Sequence, residues 1–119
     1  MTTNTPHERG ELERKIIRHL LNTALAAGWT VEAVDDGGFD DVRCTNIDEV
    51  LDAVFSVDDS TIMFNKTIDG KTLYKGVKIV LGNGIHCIAD NSVHPLFEAE
   101  VIAPSEAFVE WLESMGEGG

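Results

Sequence analysis

From Leu12 to Leu25 the apolar residues Leu12, Ile16, Ile17, Leu20, Leu21, Ala24 and Leu25 recur at three- and four-residue intervals. Only a helix gathers that spacing into one stripe, so the chain must supply something for the stripe to pack against. Thr5-Pro6 suits the start, because threonine caps free amides and proline fits the first helical position. Gly28 suits the end, where a left-handed residue closes the last turn. Arg14, Lys15, Arg18 and Asn22 fall mainly off the stripe.

Beyond Gly28 the chain has mostly a period of two. Trp29 to Val34 alternates as a strand does, Asp35-Asp36-Gly37-Gly38 reads as a turn, and Phe39 to Thr45 as a returning strand. Asn46 with Glu49 forms a capping box ahead of Ile47, Val50, Leu51, Val54 and Phe55, a short helix that Asp58-Asp59-Ser60 is expected to end. Thr61–Asn65 and Lys71–Leu81 read as strands joined through Asp69-Gly70. Asn83-Gly84 predicts a two-residue hairpin pairing Leu81 with His86, Val80 with Cys87 and Ile79 with Ile88. Pro95 to Ile102 reads as a short helix broken near Ala103-Pro104, and Ser105 to Met115 as a terminal helix.

The expected architecture is α+β: an antiparallel sheet of four to five strands, with a long N-terminal helix and a C-terminal helix packed on one face. At 119 residues the chain is expected to be one domain spanning 1–119, with frayed ends at 1–5 and 116–119. No apolar run approaches the roughly 20 residues of a membrane helix, and the polar N-terminus lacks a signal-peptide pattern. A cytoplasmic protein is expected.

Charge bears on partners rather than on fold. Residues 1–28 carry net +1, 29–59 net −9, 60–82 net +3 and 83–119 net −7, within a total of −12. That balance argues against direct binding to nucleic acid, which needs a basic surface, and favours a basic protein partner. The candidate partner-binding residues are Asp35, Asp36, Asp40, Asp41, Asp48, Glu49, Asp52, Asp58 and Asp59. Lys71, Lys75 and Lys78, with Lys66 nearby, read as guards of a strand edge against aggregation. Lys71 and Lys75 share one side by parity, and Lys78 takes the other unless Gly76 bulges.

Candidate chemistry is thinner. Asp35 to Asp41 is dense in oxygen ligands but lacks the alternating pattern of a calcium loop, so a solvated turn is preferred. Cys44, Cys87, His86 and His94 have no short ligand spacing, and His86 and Cys87 point to opposite faces of the expected hairpin. A buried thiol and a rim histidine are the expectation, with no metal, cofactor or catalytic set. Leu81-Gly82-Asn83-Gly84 has glycines like a phosphate loop, but a strand follows where that loop needs a helix.

Certain segments share a cadence. They are the helix end Ala26-Ala27-Gly28, the stretch Leu51 to Asp59, the strand into Leu81-Gly82-Asn83-Gly84, Ile88-Ala89-Asp90, and the helix interrupted at Ala103-Pro104. Over about Ile16 to Leu112 this resembles a group of small uncharacterised proteins carried by bacterial phages, prophages and plasmids. Asn91-Ser92-Val93-His94 departs from the Tyr-Thr-like pair that follows the aspartate in many of them. The resemblance implies a mobile-element protein in a bacterial cytoplasm, without an assigned activity. The function expected is a small non-enzymatic protein that inhibits or modulates a host nucleic-acid-handling or defence protein by carboxylate mimicry of nucleic acid. The competing expectations are a self-associating accessory domain, forming a homodimer, and a small metal-dependent or cysteine-based enzyme.

Overall fold

The computed structural model describes residues 6–35, 46–82 and 84–115. The order is α1 (Pro6–Ala26), β1 (Thr30–Asp35), α2 (Ile47–Val54), β2 (Asp59–Ile68), β3 (Lys71–Val80), a 3-10 turn at Gly84–His86, β4 (Ile88–Asn91), α3 (Pro95–Phe97), a π-helical stretch (Glu98–Ile102) and α4 (Ala103–Ser114). The four strands form an antiparallel sheet in the order β1-β2-β3-β4. The returning strand expected at Phe39–Thr45, and the frayed ends expected at 1–5 and 116–119, lie outside the described residues.

The core follows the two periodicities. Leu12, Ile16, Ile17, Leu20, Leu21 and Ala24 of α1 are buried against Ile62 and Phe64 of β2 and Val77 and Ile79 of β3, which share one sheet face. Leu25 is the exception at 42 % exposed, because the stripe turns away from it in the last turn. At that end Gly28 takes φ +94°, and the Trp29 amide bonds back to the Ala24 carbonyl. The indole is then buried edge-on to Phe97, with ring centroids 5.0 Å apart. α2 packs on α1, β1 and β2, while α4 packs on α1 and the 3-10 turn, so the two shorter helices take different neighbours around α1.

Local departures from the expected pattern have physical causes. A bulge between Val31 and Ala33 interrupts the alternation of β1 and leaves consecutive Ala33 and Val34 both buried. Asp58-Asp59-Ser60 does not end α2. The helix closes at Phe55, whose amide bonds to Leu51, and Asp59 already begins β2. Asp69 (φ +51°) and Gly70 (φ +80°) make the two-residue turn that pairs Ile68 with Lys71.

The Asn83-Gly84 expectation needs the largest correction. Ile79 does pair with Ile88, and the Val80 amide does bond to the Cys87 carbonyl. Leu81 and His86 do not pair, because Gly84–His86 winds into a 3-10 turn. The cause is Glu13: its buried carboxylate oxygen accepts the Gly82 amide at 2.8 Å and the Gly84 amide at 2.9 Å, drawing the loop onto α1.

The break expected at Ala103-Pro104 is absent too. The Ala103 amide reaches back five residues to the Glu98 carbonyl, and this π-helical turn carries the chain into α4 with Pro104 in its first turn, where no amide is needed.

Candidate acidic interface

α2 connects β1 to β2, and its placement follows from its sequence. The Asn46 side chain accepts the Glu49 amide at 2.9 Å and donates to the Glu49 carboxylate at 2.9 Å, closing the capping box. Val50, Leu51 and Val54 are buried, which turns Asp48, Glu49 and Asp52 outward. Asp58 and Asp59 are exposed where β2 begins. Asp35 pairs with Thr61 across the sheet, so it ends β1 at the same end of the sheet. Six of the nine candidate carboxylates therefore lie on α2 and on the strand ends that flank it; Asp36, Asp40 and Asp41 lie outside the described residues.

These charges are not equivalent. Asp48 holds the Arg18 guanidinium of α1 at 3.0 Å, in an exposed pair that contributes under about 1 kcal/mol. Asp52, Asp58 and Asp59 have no side-chain partner among the described residues.

A second acidic surface lies on the other flank of α1, within the net −7 block of 83–119. A cleft of about 420 Å3 runs between β4 and α4. Ile88, Ile102 and Val109 provide its apolar part, and Glu106, Glu110 and Glu113 its carboxylates, with His86 at one end and no lysine or arginine among the described lining residues. The signal was present in the spacing: Glu106, Glu110 and Glu113 at i, i+4 and i+7 share one helix face.

The cysteine and histidine candidates do not converge. Burial, reinforced by the charge of Glu13, pushes the Cys87 thiol up to about 12, which leaves it protonated at neutral pH. His94 is occupied structurally: its Nδ1 accepts the Leu96 amide at 3.2 Å, capping α3. His86 is exposed in the cleft, and Cys44 lies outside the described residues. Among the described residues no group of three or more His, Cys, Asp or Glu side chains is placed to hold a metal ion. No described helix is long and apolar enough to cross a membrane.

The lysines divide as well. β3 runs without a bulge at Gly76, so Lys71 and Lys75 face the helical side and Lys78 the other. Among the described residues β4 pairs with β3 at Val77–Ile79, and none pairs with the 71–75 edge beyond it, beside Lys71 and Lys75. Lys66 guards no edge. Its ammonium donates to the Ala27 carbonyl at 2.6 Å and to Glu100 at 2.8 Å, and the same Glu100 oxygen accepts the Trp29 indole N–H at 3.0 Å. The Lys66 bond, opposed in part by burial, holds the Glu100 carboxyl below its usual range. Glu13, Glu100 and Lys66 were invisible as a set in the sequence because their partners lie 34 to 71 residues away.

Comparison with protein-family models, characterised proteins and solved structures returns no match.

Proposed function

We propose that the chain is a small, non-enzymatic acidic binding protein that docks a basic surface of a host protein handling nucleic acid, its carboxylates standing where phosphates would lie. The setting is a bacterial mobile element and its host cytoplasm. One observation carries the reading: Asp48, Glu49, Asp52, Asp58 and Asp59 are all exposed on α2 and the start of β2, and Asp52, Asp58 and Asp59 are unpartnered among the described residues. Carboxylates in such a group steer a basic partner into encounter and weaken in their effect as salt rises. The test is affinity capture from the host lysate at low and raised salt, with wild type and the variant D48N/E49Q/D52N/D58N/D59N. A basic nucleic-acid-binding protein retained by wild type at low salt and lost by the variant supports the reading. Equal capture by both overturns it.

Self-association is a second reading, favoured by the 71–75 edge of β3, unpaired among the described residues, and by Tyr74, 57 % exposed on it. Antiparallel self-pairing centred on Leu73 would set Lys71 opposite Lys75 of the other copy, a like-charge contact that opposes it. Light scattering across salt concentrations separates the two, since edge pairing opposed by lysines strengthens as salt rises.

A further inference from the structure

We propose that the cleft between β4 and α4 is a docking groove for an extended peptide segment of a partner, carrying arginine or lysine at alternate positions. The inference rests on the reading of the chain as an acidic binding protein, but on a different set of carboxylates from those of α2.

The shape comes first. One wall is the terminal strand of the sheet, with four consecutive residues, Ile88, Ala89, Asp90 and Asn91, in the lining. The other wall is one helical face: Ile102, Ser105, Glu106, Val109, Glu110 and Glu113. From Ile102 to Glu113 that face rises about 16 Å, and four strand residues extend about 13 Å, the length of a short extended peptide. A groove between a terminal strand and a helix is a recurring seat for such segments. The Asn91 amide is already bonded to Asp90 Oδ1 at 2.8 Å, so side chains rather than a continued strand ladder must supply most of the recognition here.

The lining chooses the occupant. Glu106, Glu110 and Glu113 bring negative charge with no lysine or arginine among the described lining residues, and none of the three has a partner among the described residues. Glu106 and Glu110 are about 6 Å apart along the helix axis, against about 6.6 Å between alternate side chains of an extended chain. Beneath the carboxylates, Ile88, Ile102 and Val109 offer apolar surface to the methylene stems of arginine or lysine. An acidic or purely apolar segment satisfies one half of this lining and not the other.

The probe is a fluorescein-labelled peptide, Gly-Arg-Ser-Arg-Ser-Arg, followed by anisotropy with wild type and three variants checked for folding by circular dichroism. The expected result is that E106Q/E110Q/E113Q weakens binding at least about tenfold, because paired charges at close range are removed. V109S weakens it by about threefold, through lost contact with the stems, and D69N, at the exposed turn between β2 and β3, changes it less than about twofold. Undiminished binding to the triple variant overturns the inference, as does absence of binding to wild type. Spermine displacing the peptide at equal concentration overturns it in favour of a polyamine site. Loss of peptide binding with host capture still dependent on α2 sinks the groove alone; peptide binding with capture indifferent to α2 sinks only the α2 reading.

Discussion

Replacing Glu13 tests the most consequential contact that sequence patterning missed. Its side chain is 3 % exposed, and one oxygen accepts both the Gly82 and the Gly84 amides. Hydrogen bonds to a charged group contribute about 1.5–3 kcal/mol each, and neutral ones about 0.5–1.5. In Glu13→Gln the amide oxygen can still receive both donors, so only the charge assistance is lost, about 1 kcal/mol per bond or about 2 in all. In Glu13→Ala both donors lose their acceptor. Gly84 is buried and cannot turn to water, whereas Gly82 is exposed and can. The expected total is about 3–4 kcal/mol, against about 0.5 or less for the surface control Asp52→Ala. Urea unfolding measures the differences, and melting temperatures should follow at roughly 4 °C per kcal/mol for a domain of this size. Amide exchange should show Gly84 losing protection ahead of the β2–β3 ladder. An Ala variant within about 0.5 kcal/mol of wild type, or a Gln variant as damaging as Ala, would refute the shared-acceptor argument.

Four further outcomes are expected. Cys87, in a Cys44→Ser background, should resist iodoacetamide at pH 8 in the native state and react fully in urea; adding Glu13→Gln should bring its titration below about 12, because a charge that raises it is gone. The Glu100 carboxyl is held low, so its contribution to stability is complete above its ordinary value of 4.5 and is lost as pH falls through the lower folded value; Glu100→Gln should remove that part of the acid sensitivity in urea titrations. Lys66→Met should cost about 1–3 kcal/mol, and a double-mutant cycle with Glu100→Gln should return a coupling of about 1 kcal/mol, whereas strict additivity would deny the bridge. His19 stacks on Phe108 with ring centroids 4.0 Å apart, and burial lowers its pKa; its contribution is therefore complete above 6.5 and lost below it, so His19→Phe should flatten the stability change between pH 7.5 and 5.5.

Most of the fold was legible because it rests on local periodicity. The α1 stripe, the Asn46–Glu49 cap and the Asp69-Gly70 turn each depend on residues close in sequence. The loop after β3 was misread because its conformation is chosen by Glu13, 69 to 71 residues away, whose pull competes with the local preference for a tight hairpin. Ala103-Pro104 was misread for a related reason: proline forbids one amide bond, and a single π-helical turn removes the need for it.

For the candidate site the division is sharper. Sequence alone determined that the chain is strongly acidic, that the charge lies in blocks, and that α2 must turn Asp48, Glu49 and Asp52 outward once its apolar face is buried. Only the tertiary structure decided that the acids form two surfaces on separate flanks of α1, and that Lys66 is a buried-side bridge rather than an edge guard. The physical reason is range. Periodicity assigns a side chain to the inside or the outside of its own element, but which outside surfaces become neighbours depends on how the helices dock. That docking is set here by contacts such as Lys66–Glu100 and Glu13–Gly84, between residues far apart in the chain.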